Sequence, residues 1–174
     1  MKNLSVKALA AALAAVVIVS VGFLCLAAET GDYKKYEKEV TLAAEKFGVE
    51  KSLIFAVIRT ESNFCATAKS EKGALGIMQI MPSTAAFVAE MLDMSGYDLF
   101  SASDNITLGV KYLAYLSGKF KFEEAVLAAY NAGETNARKW LADGGESFSG
   151  DIPYKQTRKY IKKVKRRKKL YDYV

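Results

Sequence analysis

The sequence predicts a mainly α-helical domain with little or no strand, preceded by an apolar N-terminal segment. Two observations support this fold class. Apolar residues recur at helical spacing in successive segments separated by glycine or proline, and no run shows the sustained alternation that is typical of strands. A length of 174 residues leaves room for one compact domain and an appendage. We therefore expect a single domain over residues 29–174.

The appendage, residues 1–28, has the composition of an export signal or a membrane anchor. Lys2 and Lys7 precede an uncharged, largely apolar run over residues 8–28. A run of this length matches the roughly 20 residues that a helix needs to span a bilayer, which favours a retained anchor. The alternative is a signal peptide cleaved after Ala27 or Ala28. Lysines ahead of the run place the domain on the extracytoplasmic face of the cytoplasmic membrane, or outside the cell if the signal is cleaved.

The domain itself divides into helical segments with recognisable boundaries. Gly48 stops the first helix, Pro82 suits the first turn of another, Ser103 is a candidate N-cap, and Gly118 follows a fourth. A turn is expected at 131–133. The predicted helices cover 33–47, 51–60, 82–91, 104–117, 123–130, 136–141 and 155–171.

Charge is concentrated at the C-terminal end. Residues 155–174 carry 10 Lys+Arg against one acidic residue, whereas residues 29–154 carry 13 against 18. The basic stretch KKVKRRKK, residues 162–169, is either a solvated helical face or a surface for anionic wall polymers or lipids. We expect no nucleic-acid partner.

The chain contains no histidine, which excludes Ser-His-Asp and Cys-His catalysis and the usual His-ligated zinc sites. Cys65 is the only cysteine after residue 28, so no disulfide framework is expected and a free, packed thiol is the simplest interpretation. The available chemistry is that of carboxylates, hydroxyls, amides and lysine, and we expect no metal or cofactor.

Three polar clusters interrupt the apolar helices: ESNF (61–64), GALGIMQIMP (73–82) and AYNAG (129–133). In this order, and followed by IPYKQTRKYIKKV (152–164), they resemble the catalytic domain of the soluble lytic transglycosylase family. The resemblance covers roughly residues 33–173. It implies a goose-type-lysozyme-like fold.

The resemblance also implies an activity on peptidoglycan: cleavage of the β-1,4 bond between N-acetylmuramic acid and N-acetylglucosamine, leaving a 1,6-anhydro-muramic end without addition of water. The catalytic acid/base falls on Glu61, and a tyrosine hydroxyl from Tyr130 approaches it. Residues implied to line the glycan groove are Ser70, Gln79 and Met81, with Asn131 in the adjoining AYNAG segment.

Glu61 also makes chemical sense without the resemblance. It lies four residues after Val57, at the edge of an apolar helical stripe, so its carboxyl group is expected to be half-buried. Burial raises the pKa of a carboxyl group, which lets it donate a proton near neutral pH. Since the nucleophile of a lytic transglycosylase is the sugar's own O6 hydroxyl, one glutamate is enough.

One departure from the family pattern and two rival functions stay open. The family commonly has a glutamate where Gln156 stands, and the loss of that charge removes one influence on the pKa of Glu61. A lysozyme-type hydrolase would need a second carboxylate about 6.5–9.5 Å from Glu61. The candidates for it are Asp93, Asp98 and Asp104. The other rival is a glycan-binding module without turnover.

Overall fold

The structure is a computed structural model that describes residues 33–144 and 152–173. The chain divides into two units, Met1–Lys34 and Lys35–Val174, and the second holds the α-helices and the candidate site described below. The predicted anchor or signal in residues 1–28 lies outside the described residues, so its role stays a prediction. Of the helices within the described ranges, none is both long enough and apolar enough to cross a membrane.

The described residues form seven α-helices, preceded by a 3-10 turn at Tyr33–Tyr36. They contain no strand, only the isolated bridges Lys69–Leu75 and Leu75–Ile80. The prediction of a mainly helical fold is therefore confirmed. In chain order, the helices are α1 (Glu37–Phe47), α2 (Lys51–Glu61), α3 (Pro82–Met91), α4 (Ala102–Ser117), α5 (Glu123–Ala132), α6 (Glu134–Gly144) and α7 (Lys155–Tyr171).

Two predicted boundaries were wrong. The N-cap of α4 is Ser101, not Ser103, because the Ser101 side chain accepts a 3.4 Å hydrogen bond from the Asp104 N–H. The turn expected at 131–133 lies at Gly133, whose φ of 90° is open to glycine and ends α5 after Ala132. Asn131 consequently belongs to the last turn of a helix.

The prediction that the Cys65 thiol is free is confirmed, but the prediction that it is packed was wrong, since this residue is exposed. It follows the turn after α2, where its sulfur lies 3.6 Å from the Thr67 hydroxyl oxygen. The apolar positions nearby are filled by Phe64, which packs against Tyr36 and Tyr171. Because Phe64 takes the core position, the thiol is left at the surface.

The core is centred on α2, whose residues 53–58 are all buried. Among the described helices, α2 makes its most extensive contact with α7, which buries Tyr160, Ile161, Val164 and Tyr171 against the body. The basic C-terminal stretch thus belongs to a core helix and is not a loose tail. This packing fixes the C-terminal end of α2, and Glu61 with it.

Candidate active site

Glu61 is the last residue of α2 and lies at the boundary between core and solvent. Six buried residues precede it along the helix, and its own side chain is half-buried, as the spacing from Val57 predicts. Burial raises the pKa of Glu61 from 4.5 to about 7. The carboxyl group is therefore available in both protonation states near neutral pH.

Two tyrosines and a lysine interact with the Glu61 carboxyl group. The nearby hydroxyl of Tyr160 and, to a smaller extent, the positive charge of Lys163 lower the pKa of Glu61 and partly offset the effect of burial. Burial first, and the charge of Glu61 second, raise the pKa of Tyr130 and of Tyr160 well above 10. Both phenols therefore stay neutral beside the acid.

The Tyr160 hydroxyl is buried and makes no hydrogen bond of standard geometry within the described residues. Its effect on the pKa of Glu61 nevertheless places it near that carboxyl group. The two groups are therefore close to each other without a formed hydrogen bond.

The loop between α2 and α3 is tied to the helices by side chains. Ser62 at the end of α2 donates a 2.7 Å hydrogen bond from its hydroxyl to the Ile77 carbonyl. Asn105 of α4, which is fully buried, accepts from the Met78 N–H at 2.8 Å and donates to the carbonyls of Leu75 and Leu99 at 3.0 and 2.9 Å. These bonds hold the loop against α2 and α4.

Ser70 and Gln79 lie inside this loop and stabilise its shape. The Ser70 hydroxyl accepts a 2.9 Å hydrogen bond from the Ala74 N–H. The Gln79 amide donates to the carbonyls of Ala68 and Gly76 at 3.1 and 2.8 Å, while its backbone has a φ of 52°. Its side-chain oxygen accepts no hydrogen bond from the described residues, so it is free to accept from a ligand.

A cleft of about 660 Å³ opens between the loop, α3–α5 and the start of α7. Of the residues predicted for the site, Met81, Tyr130 and Asn131 line it, whereas Glu61, Ser70 and Gln79 do not. Tyr130 is also the cleft residue whose pKa responds to Glu61. It is thus shared by the cleft and by the surroundings of the acid.

The far wall of the cleft is formed by the first turn of α7. Thr157 is buried and donates a 3.0 Å hydrogen bond from its hydroxyl to the side-chain oxygen of Asn131, which joins α7 to α5. Gln156, at the position where the family pattern has a glutamate, is exposed and lines the cleft. The Asn131 amide NH2 has no partner within residues 33–144 and 152–173, so it is available to a ligand.

The candidate second carboxylates have other roles. Asp104 accepts a 3.0 Å hydrogen bond from the Asp98 N–H, and Asp98 accepts one of 2.9 Å from the Phe100 N–H. Asp93 is exposed in a turn with a φ of 52°. The charged side chain that influences the pKa of Glu61 is Lys163, and no carboxylate within the described ranges does so.

A second depression, of about 350 Å³, lies elsewhere on the body. It is bordered by the α1–α2 junction and the α4–α5 connection, and contains none of the predicted site residues. Glu50 and Glu123 on its border form ion pairs with Lys168 at 2.6 and 2.8 Å. We therefore assign the site to the larger cleft, beside Glu61.

In the described part of the chain, no cluster of acidic and cysteine side chains suits a metal ion.

Sequence reasoning missed four residues of this site: Asn105, Thr157, Tyr160 and Lys163. An asparagine amid the apolar residues of a helix is a signal that could have identified Asn105, because a buried amide requires partners. The other three lie in the segment IPYKQTRKYIKKV, and their contacts with Glu61 and Asn131 depend on how α7 packs, which local spacing does not indicate.

Comparison with known proteins identifies the same family as the sequence motifs. The family model "Transglycosylase SLT domain" matches residues 39–148. The soluble lytic murein transglycosylase of Escherichia coli K12 is 36% identical over 126 residues, which is 67% of this chain and 20% of that protein. The membrane-bound lytic murein transglycosylase C of Edwardsiella ictaluri is 33% identical, over 79% of this chain and 46% of that protein.

Solved structures agree with these relatives. A lytic transglycosylase from Pseudomonas aeruginosa has a TM-score of 0.73 and 32% identity over 78% of this chain. A 70-kDa soluble lytic transglycosylase, solved in complex with bulgecin A, has a TM-score of 0.74 and 33% identity over 79% of this chain. The chain spans 24% of each of these two structures and less than half the length of both sequence relatives.

Proposed function

Because the chain belongs to the transglycosylase SLT domain family, we propose that it is a peptidoglycan lytic transglycosylase. It cleaves the β-1,4 bond between N-acetylmuramic acid and N-acetylglucosamine and leaves 1,6-anhydro-muramic ends. Its place is the bacterial cell envelope, in cell-wall remodelling. The observation that carries the proposal is the half-buried Glu61, with a pKa of about 7, beside a cleft large enough for sugars.

The reaction needs one group that is first an acid and then a base. Protonated Glu61 donates its proton to the glycosidic oxygen as the bond from that oxygen to C1 of the muramic residue breaks. The O6 hydroxyl of the same residue then forms a bond to C1 and gives its proton to the Glu61 carboxylate. The proton is returned, so the products are one anhydro end, one free hydroxyl and an unchanged enzyme.

The surrounding residues support both halves of this cycle. A pKa of about 7 gives Glu61 similar populations of acid and base at neutral pH. Ser70, Gln79, Met81, Tyr130 and Asn131 are proposed to bind substrate. Within this group, the Gln79 side-chain oxygen and the Asn131 amide NH2 have no hydrogen-bond partner among the described residues and can bind a ligand. The exposed Met81 gives apolar contact with sugar faces.

The test is mass spectrometry of sugars released from purified peptidoglycan by the detergent-solubilised full chain, with Glu61→Gln beside it. We expect anhydro-muramic ends from the parent and none from the variant. Reducing ends would mean hydrolysis by a lysozyme-type enzyme instead. Glycan binding with no release by the parent would mean a binding module without turnover.

Among the described residues, no carboxylate influences the pKa of Glu61, which favours the transglycosylase over the hydrolase. An inverting hydrolase uses a second carboxylate to activate water, and Asp98 and Asp104 are hydrogen-bonded to backbone N–H groups at the start of α4. Within the described residues, the charge felt by Glu61 is a lysine. A direct check is reaction in 18O-labelled water, since the anhydro product takes up no label and a hydrolysis product does.

We also propose that residues 1–28 hold the domain at the extracytoplasmic face of the cytoplasmic membrane, with cleavage and secretion as the alternative. A relative named as membrane-bound supports attachment, and the uncharged run over 8–28 supplies the length. Membrane fractionation of the full chain, with N-terminal sequencing, distinguishes the two. A mature chain that begins near residue 28 or 29 would contradict retention.

The exposed face of α7 is the proposed contact for anionic wall polymers or lipids. Deleting residues 162–174 would not test it, because Val164 and Tyr171 belong to the core. Lys165 and Lys168 pair with glutamates of the body, so they do not belong to the free face. The exposed basic residues of that face are Lys155, Arg158, Lys159, Lys162, Arg166 and Lys169.

Replacement of exposed residues tests this contact without damage to the core. The test variant changes four residues of the α7 face to Gln: Lys159, Lys162, Arg166 and Lys169. The control changes four exposed lysines of other elements: Lys38, Lys46, Lys119 and Lys139. We expect the test variant alone to lose binding to wall polymer or anionic vesicles at low salt. Equal binding by parent and test variant would count against the contact.

A further inference from the structure

The cleft beside Glu61 carries an uneven set of charges. Lys72, from the loop after α2, and Lys155, from the first turn of α7, both line it. Among the residues described as lining it, no Asp or Glu is present. A concave surface with charge of one sign raises the local concentration of ligands of the opposite sign.

These two lysines are available to a ligand. Neither the Lys72 nor the Lys155 ammonium group is hydrogen-bonded or ion-paired within residues 33–144 and 152–173, and both side chains are exposed. Lys165 and Lys168 of the same helix α7 differ, because both are paired with glutamates of the body. Among the described residues, the two cleft lysines therefore have no acidic partner, unlike Lys165 and Lys168.

The polar groups beside the lysines are also suited to an anion. The side-chain oxygen of Asn131 is taken by Thr157, so its NH2 group is the part that a ligand can use. Gln156 brings an amide to a position that would carry a negative charge if it were a glutamate. A glutamate at position 156 would partly neutralise the positive charge of Lys72 and Lys155, whereas a glutamine does not.

We propose that Lys72 and Lys155 make the cleft selective for glycan strands that carry carboxylate groups, with Gln156 preserving that selectivity. This inference rests on the proposed function and names the substrate class of the same site. At each muramic residue a peptidoglycan strand offers carboxylates from one of two sources: the peptide stem where it is attached, or the lactyl ether where the stem has been removed, because attachment converts the lactyl carboxyl group into an amide. Polymers of N-acetylglucosamine offer none.

Binding measurements separate this selectivity from turnover. Glu61→Gln serves as the background so that no ligand is consumed, and calorimetry gives the Kd for three oligosaccharides of equal length. One carries peptide stems, one has been stripped of its stems and keeps the lactyl carboxylates, and one is a neutral N-acetylglucosamine oligomer. Lys72→Gln, Lys155→Gln and Gln156→Glu are added to the background singly, and the two lysine changes together.

We expect the background protein to bind the carboxylate-bearing sugars more tightly than the neutral one. Each lysine change lowers this preference about three- to fivefold, as for an exposed charge pair. Gln156→Glu lowers it in the same direction, and so does added salt. The control is Lys38→Gln with Lys51→Gln, which removes two charges that do not line the cleft and leaves the preference unchanged.

The outcomes are distinct. A loss confined to the stem-bearing sugar assigns the recognised carboxylate to the stem, and a loss confined to the stripped sugar assigns it to the lactyl group. An equal loss with both means that the lysines accept either carboxylate; all three results support the proposal. An unchanged preference in the double lysine variant, or no preference in the background protein, overturns it. Failure of the parent enzyme to form anhydro ends would overturn the proposed function and leave these Kd ratios unaffected.

Discussion

The hydroxyl of Tyr130 donates a 2.9 Å hydrogen bond to the backbone carbonyl of Met78, which joins α5 to the loop after α2. The N–H of the same Met78 donates to Asn105 at 2.8 Å. The carbonyl and the N–H of the buried Met78 are thus held by side chains of two different helices, α5 and α4. Since Met81 and Gln79 follow in the chain, this anchoring fixes the loop where a glycan would lie.

Tyr130→Phe should lower both stability and activity. The Met78 carbonyl loses its donor in a buried place, which costs about 1–3 kcal/mol of unfolding free energy. Urea unfolding measures the loss of stability. We expect kcat on peptidoglycan to fall as well, because the loop after α2 is no longer held in place. Tyr97→Phe, at an exposed tyrosine, is the control and should change neither. Equal stability of the two variants would contradict the structural role of the Tyr130 hydroxyl.

Gly76→Ala should destabilise the protein far more than Gly73→Ala. Both glycines have positive φ, 77° and 87°, so alanine is strained at either position. A Cβ at Gly76 would lie 2.1 Å from the Leu99 carbonyl oxygen and 2.2 Å from the Asn105 amide nitrogen, whereas a Cβ at Gly73 meets nothing within 4 Å. We expect a loss of about 1 kcal/mol at Gly73 and at least about 3 kcal/mol at Gly76. Thermal unfolding of the two variants measures these losses of stability. Similar losses for Gly73→Ala and Gly76→Ala would contradict the close packing around Gly76.

Glu61→Gln should stabilise the fold at high pH only. Because the folded pKa of about 7 lies above the ordinary 4.5, the folded state binds more protons between these values, and stability falls as pH rises through that window. Glutamine mimics the protonated acid and avoids this loss. We expect a gain of about 3 kcal/mol at pH 8 and none near pH 4. Urea unfolding at both pH values checks it, and an equal gain at both would show that burial of charge is not the cause.

Tyr160→Phe should shift the pH dependence of activity with little loss of stability. The Tyr160 hydroxyl lowers the pKa of Glu61, so its removal moves the fall of kcat/KM above neutral pH to higher pH. The hydroxyl makes no hydrogen bond of standard geometry among the described residues, so its loss should cost less than Tyr130→Phe. A pH profile that stays in place would argue against contact with Glu61.

Lys163→Gln should also move the fall of kcat/KM above neutral pH to higher pH. The charge of Lys163 lowers the pKa of Glu61 after the larger effects of burial and Tyr160, so the shift should be smaller than for Tyr160→Phe. Salt should shrink it, since Lys163 is exposed. Lys162→Gln removes the same charge from the neighbouring residue and is the control. Matching profiles for the two variants would mean that the net charge of α7, not Lys163, acts on Glu61.

Local patterns gave most of the helices. Pro82 and Gly118 bound α3 and α4 as expected, and α7 covers the predicted 155–171. Errors arose where two residues of the same kind compete. Ser101 and Ser103 are both able to cap a helix, and only the packing of α4 against the loop selects Ser101.

The candidate site divides in the same way. The spacing from Val57 was sufficient to place Glu61 at the edge of the core. The sequence did not indicate that Tyr130 would be bonded to Met78, or that Tyr160 would reach the acid from 99 positions further along the chain. Contacts between distant segments depend on how helices pack, and local periodicity holds no information about that.

By itself, the sequence determined the helical fold, the absence of histidine chemistry and the single acid at the end of α2. Those features follow from residue type and short-range spacing, which act within one or two helical turns. Only the tertiary structure decided that Tyr160 and Lys163 lower the pKa of Glu61, and that Lys72 and Lys155 line the cleft without an acidic partner among the described residues. It also decided that Lys165 and Lys168 of α7 pair with glutamates of the body. Burial and charge pairing arise between segments far apart in the chain, so they exist only once the helices have packed.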